Sequence, residues 1–223
     1  GLLDEIRLYH RILDDTEVSL LYQWAPGKAG PYGLAPLPNH VGISTNTGLS
    51  WEPISGATDQ TLYFGTDPGL EPNDPNTYDI SIVLSGSADS QSNEDIDGPL
   101  DFETDYYWMI VSTVSGSPVN GPVWKFTSDP GFAINPQPAD GQAGIPIDIV
   151  DLGWTGSPDA VSFDVYFSDV ESKVQNNDPN VLVADNIADS NVAVFSEINL
   201  PEKGKKYFWR VNTNFTEDTI EGN

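Results

Sequence analysis

The sequence predicts an all-β chain made of two tandem copies of one β-sandwich. Three observations carry this. The stretch Asp105-Tyr106-Tyr107-Trp108-Met109-Ile110-Val111 returns as Lys206-Tyr207-Phe208-Trp209-Arg210-Val211. Leu49-Ser50-Trp51 returns as Leu152-Gly153-Trp154, and Leu62-Tyr63-Phe64 as Val165-Tyr166-Phe167. The offsets are 103 for Trp51 and Leu62 and 101 for Trp108, a near-constant spacing that chance would scatter and that a duplicated unit keeps apart from a short loop deletion.

Composition agrees. Of 223 residues, 38% are hydrophobic, with six Trp, nine Tyr and nine Phe, enough for two modest cores; 20 Gly and 18 Pro suit many turns rather than long helices. The formal charge of −25 repels phosphate backbones and anionic lipid surfaces, which excludes nucleic acid as a partner and suits a solvated surface in salty or extracellular surroundings. With no cysteine there is no disulfide framework, thiolate nucleophile or zinc-thiolate site. No apolar run reaches the roughly 20 residues that span a bilayer. Asp4, Glu5 and Arg7 interrupt the first residues, so they do not read as a signal peptide, and any export signal belongs to a longer precursor.

Taken in order, residues 1–24 differ from the rest. Leu3 to Tyr9 alternates as a strand, and Leu13 to Tyr22 suits a short helix capped by Asp14 or Asp15. Gly1, Asp4, Glu5, Ile6, Arg7, Leu8, Tyr9, Arg11, Leu13 and Glu17 together resemble the C-terminal strand and helix of a laminin G-like (concanavalin A-like) jelly-roll domain. The rest of that fold has no counterpart here, so the resemblance brings no carbohydrate or calcium site. Residues 25–38, with Pro26, Gly27, Gly30, Pro31, Gly33 and Pro36, read as an extended linker.

The first module spans 39–130, with strands expected at Leu49–Trp51, Thr61–Phe64, Ile80–Leu84, Tyr106–Val111 and Val123–Phe126. Strand residues alternate faces, so Tyr106, Trp108 and Ile110 share the buried side, as do Tyr207, Trp209 and Val211. The early Trp51, the mid-strand Tyr63-Phe64-Gly65, Leu100 six residues before Tyr106, and the closing Gly121, Val123, Trp124 and Phe126 resemble a fibronectin type III-like domain. That resemblance implies a corner in which the Tyr106 hydroxyl bonds nearby backbone. The second module, 131–223, opens on Asn135 to Gly141 and has strands expected at Ile149–Trp154, Ser162–Phe167, Val192–Phe195 and Lys206–Thr213. Trp124 follows Trp108 by sixteen residues, which puts the counterpart at position 225. The closing strand of the second sandwich is therefore expected to be missing, to be supplied by further chain or by strand donation from residues 3–9 of another copy.

Chemistry is sparse. His10 and His40 neighbour no Ser or Cys nucleophile, and among so many carboxylates no acid/base pair stands out, so no catalytic residue is assigned. Asn93, Asp95 and Asp97 before Gly98 have the alternating oxygens of a calcium loop, but Thr104 stands where that loop needs Glu; no cofactor or metal residue is assigned and calcium is kept as a test. Asn-Asp-Pro-Asn at 73–76 and again at 177–180 reads as a turn. Tyr63, Tyr107, Tyr166 and Phe208 alternate outward, where they could stack on sugars or lie under loops, and Asn214-Phe215-Thr216 is a glycosylation sequon. The two resemblances together imply a segment of a large bacterial extracellular or cell-surface protein. Its expected role is non-catalytic, as spacer, adhesion or filament-assembly modules. Its partners would be neighbouring domains of the same or other chains, with glycans as a further class. An accessory carbohydrate-binding region of a secreted polysaccharide-degrading enzyme is the alternative.

Overall fold

The computed structural model describes residues 32–85, 89–92, 94–146, 151–188, 191–192 and 202–222. The jelly-roll resemblance, His10 and Asn93 lie outside them, as do the strand of residues 3–9 and the role proposed for it.

The first module is two antiparallel sheets. One has the order β1 (Tyr32–Ala35), β2 (Leu49–Glu52), β5 (Ser90–Gln91). The other has the order β4 (Ile80–Ser85), β3 (Ala57–Gly65), β6 (Asp105–Val114), and then a closing strand in two parts, β7 (Ser117–Asn120) and β8 (Trp124–Thr127), both on β6. This is the strand order of a fibronectin type III-like sandwich. Because strand side chains alternate faces, β3 turns Gln60, Leu62 and Phe64 inward and β6 turns Tyr106, Trp108 and Ile110 inward, all nearly inaccessible. Trp108 is at the centre, with its ring 6.0 Å from Trp51 across the sandwich and 4.9 Å from Trp124 on the next strand. The segment read as linker is corrected in its second half. Residues 32–35 pair with β2, and Leu34 is buried in the core, so the sandwich begins before Asn39. Its period-2 pattern was hidden by flanking Gly and Pro, whose turn signals outweigh a four-residue strand.

The second module repeats the plan. β9 (Ile134–Gln137), β10 (Leu152–Thr155) and β13 (Asn191–Val192) form one sheet in the order β13-β10-β9. The other sheet runs β12 (Leu182–Ile187), β11 (Ser162–Ser168), β14 (Phe208–Asn214), β15 (Thr219–Ile220). β15 pairs with Thr213 and Asn214 as β7 does with Ser112 and Thr113, so it matches the first part of the closing strand, whereas the strand expected to be missing is the counterpart of β8, which has no match among the described residues. β15 escaped notice because it is two residues long and carries no Trp. Trp154 is buried and Trp209 packs partly buried against the same core, so the repeated indoles do occupy matching interiors. Between β11 and β12 the second module adds a helix, α1 (Glu171–Gln175), anchored by buried Val174.

The repeat also shows a substitution of chemistry. Trp51 Nε1 donates to Gln60 Oε1 at 2.9 Å in the first core. Phe163 stands in the Gln60 position of the second module, and Trp154 meets it edge-on at 5.5 Å. Gly156 makes that possible, because a Cβ there would lie 2.3 Å from Phe163 Cζ.

The corner predicted for Tyr106 is present in both copies. Asp101 N donates to Tyr106 Oη at 2.9 Å, and Glu202 N to Tyr207 Oη at 2.8 Å, the first part-buried and the second exposed. Removing an acceptor costs most where water cannot replace it. Tyr106→Phe should therefore lower stability by about 1 kcal/mol and Tyr207→Phe by measurably less, as read from urea midpoints at unchanged slope.

Candidate functional site

The residues singled out for chemistry do not converge. His40 lies on the stretch after Pro38 that runs beside β8; its carbonyl accepts from Thr127 N at 2.8 Å. Asp95 accepts from Ser92 N at 3.2 Å and Ser92 Oγ at 2.6 Å, and Ile96 between the two aspartates is buried. These contacts close the loop on itself. Among the described residues no group of three His, Cys, Asp or Glu side chains is placed to hold a metal ion. Both Asn-Asp-Pro-Asn stretches make the expected turn: Asp74 accepts from Asn76 N at 3.0 Å, and Asp178 from Asn180 N at 2.9 Å.

The outward aromatics are separated too. Tyr63 meets Tyr78 edge-on at 4.9 Å, and Tyr166 pairs across the sheet with Arg210. Phe208 lies under the Lys206 ammonium at 4.6 Å. Tyr107 lines a shallow cleft of about 420 Å³ with Pro38, Asn39, Pro68, Val123 and Lys125. The sequon Asn214 is engaged: its amide donates to Ser162 Oγ at 3.2 Å, and its oxygen accepts from Thr219 Oγ1 at 2.8 Å.

Where side chains do converge is the joint between the modules. The first module's end of the joint is fixed from within. Ser128, next after β8 and only 1% exposed, donates through Oγ to Asp101 O at 2.6 Å and accepts from Thr104 N at 2.8 Å. Asp129, also buried, accepts from Gly131 N at 2.7 Å, tightening the turn that leads into the second module.

Two contacts then cross the joint. On one side, the turn between β10 and β11 presents Asp159 to Ser44, Thr45 and Asn46. Its Oδ1 accepts from Ser44 Oγ at 2.5 Å and Asn46 Nδ2 at 3.3 Å, and its Oδ2 from Thr45 N at 2.7 Å and Thr45 Oγ1 at 2.9 Å. Thr45 is itself tied to the tyrosine corner, since its carbonyl accepts from Leu100 N at 2.8 Å. Burial alone would raise the Asp159 pKa, but the hydrogen bonds from Ser44, Thr45 and Asn46 outweigh it and hold the carboxyl below its ordinary value. On the other side, Phe102 of the first module stacks at a tilt on Phe215 of the second, 5.2 Å between ring centres. Gly131 is wedged between Phe102 and Ile220, where a Cβ would come within 3.0 Å of both.

No sequence pattern marked Asp159 or Phe102, because each breaks the repeat. Asp159 stands where the first module has Gly56, and Phe102 where the second has Lys203. Comparing the copies for positions that differ was the available signal. One acid among 34, or one aromatic in a turn, gives no reason to single it out.

Comparisons with known proteins add little to this. No protein-family model matches the chain, and no curated protein matches it. Among solved structures it is similar to an α-L-rhamnosidase from Dictyoglumus thermophilum, at 12% identity and a TM-score of 0.35, covering 87% of this chain and 29% of that one. It is also similar to the chicken CNTN1 FN1-FN3 domains, at 10% identity and a TM-score of 0.29, covering 88% of this chain and 64% of that one. The chain thus spans less than two thirds of either structure. The fibronectin type III-like assignment rests on the strand order and the paired tyrosine corners.

Proposed function

We propose that this chain is a non-catalytic extracellular spacer, in which two sandwiches are held at a fixed geometry by the joint between them. The observation that carries the reading is the pair of contacts across the joint: a carboxylate accepting four hydrogen bonds from the other module, opposed by an aromatic and aliphatic contact. Tandem domains joined by a linker move relative to one another unless their interface resists it. Here the polar and apolar contacts lie on different elements of the second module, so a bend that relieves one strains the other. The acidic surface fits the same role, since it keeps such modules apart from one another and from anionic surfaces. Among the described residues no helix is long and apolar enough to cross a membrane.

The absence of cysteine makes the test direct. Spin labels on Val83→Cys and Val170→Cys, both exposed and one in each module, should give a single narrow distance distribution at about pH 7. A distribution as wide as that of two freely linked domains rules the spacer out.

One feature favours a second reading, as an accessory carbohydrate-binding region. The Tyr107 cleft offers an aromatic face beside the Asn39 amide and the Lys125 ammonium, which is paired with Asp105 at 2.6 Å. Glycan-array binding that disappears in Tyr107→Ala would establish it; an empty array removes it.

A further inference from the structure

The joint contains a group whose charge can be changed without touching either core. We propose that Asp159 is a carboxylate latch, holding the two modules at their fixed geometry while ionised and freeing them to pivot about residues 129–131 when neutralised. The inference rests on the spacer reading and names how that spacer is regulated.

An ionised carboxylate is an acceptor only, with room for about four bonds. Asp159 fills these with donors that all come from the Ser44-Thr45-Asn46 turn of the other module. Protonation converts one oxygen from acceptor to donor, so at least one of those donors then faces a hydrogen instead of a lone pair. The bonds that survive are neutral and roughly half as strong as charge-assisted ones. No equivalent loss occurs across the apolar contact between Phe102, Phe215 and Ile220, which has no titratable atom. The joint is therefore left pinned on one side only.

Other ionisable groups do not supply this behaviour. Those on the elements that meet here are His40, Asp101, Glu103, Asp129, Glu217 and Asp218. None of their charges is among the influences on Asp159, whose ionisation is set by burial and by the bonds from Ser44, Thr45 and Asn46. Since those bonds hold the folded pKa below the ordinary value, the latch is fully closed above that value. It opens as the pH falls through the lowered one, in the window below about pH 3.9. Near neutrality it stays shut, so acid or a mutation is needed to release it.

The test uses the same label pair, Val83→Cys and Val170→Cys, in the full chain. In the otherwise unmodified chain the distribution should be narrow at about pH 7 and should broaden only as the pH falls below the ordinary carboxylate value of about 3.9. Asp159→Asn, which keeps the shape and removes the charge, should be broad already at about pH 7 and insensitive to acid. A second route avoids altering the acid: Ser44→Ala with Thr45→Val removes two donors and should broaden the distribution in the same way. Near-ultraviolet circular dichroism, which reads the buried indoles of each module, must stay unchanged in every sample for a broad distribution to count as pivoting. A narrow distribution in Asp159→Asn at neutral pH overturns the latch and leaves the spacer standing on its apolar contact. Loss of the indole signal before the distances broaden in acid also overturns the latch, because unfolding would then be the cause. A broad distribution in the unmodified chain at about pH 7 overturns both.

Discussion

Trp108→Ala is expected to cost the first module about 3–5 kcal/mol, the range for truncating a fully buried large aromatic side chain. The indole is fully buried and lies between Trp51 and Trp124, so its loss leaves a void bounded by two rigid rings that have few ways to close over it. A small domain has about 5–15 kcal/mol in total, so the first module would be close to unfolding at room temperature. The matched substitution, Trp209→Ala, should cost less. Trp209 is only partly buried, and among the described residues no second indole stacks on it as Trp124 does on Trp108. Urea unfolding followed by tryptophan fluorescence should show two separate midpoint shifts, the larger for Trp108. Equal shifts would mean that the two indoles are not in differently completed interiors.

Gly131→Ala should be the most damaging small change outside the cores. Gly131 has φ of +82°, where a Cβ is strained by about 1–2 kcal/mol. The added methyl would also meet Ile220 Cδ1 at 2.8 Å and Phe102 Cδ1 at 3.0 Å. Overpacking of this kind typically costs a further 1–3 kcal/mol. Because the strain falls on the connection between modules, it can be relieved by separating Phe102 from Ile220. The expected result is therefore a lower melting temperature for whichever module borrows stability from the joint, together with a broadened inter-module distance. Gly116, which also has positive φ but meets nothing within 4 Å, is the control. Gly116→Ala should show the backbone cost alone and leave the joint unchanged. If Gly131→Ala behaves as Gly116→Ala does, the wedge at the joint is not tight.

Much of the fold could be read from the chain because duplication writes the same instruction twice. Trp51 with Trp154 and Trp108 with Trp209 recur at nearly constant spacing, and period-2 alternation around them fixes which faces are buried. A residue that points inward in a strand is apolar unless, like Gln60, it meets a buried hydrogen-bond partner, so local sequence is enough to place most of them. The Leu100 and Tyr106 spacing likewise announced a corner, since the acceptor and its backbone donor are only five residues apart in the chain. Short or irregular strands were harder. Tyr32–Ala35 and Thr219–Ile220 are held by ladder bonds to partners elsewhere, and a few residues carry no periodicity of their own.

The joint was beyond reach for a different reason. Asp159 lies more than a hundred residues from Ser44, and Phe102 as far from Phe215; nothing in either stretch encodes the other. Sequence alone determined that two sandwiches exist and which aromatic residues fill them, because burial is a property of each strand's own pattern. Only the tertiary structure decided that one carboxylate among many is bound by the neighbouring module. That depends on where two separately folded surfaces meet, and directional hydrogen bonds form only once they have.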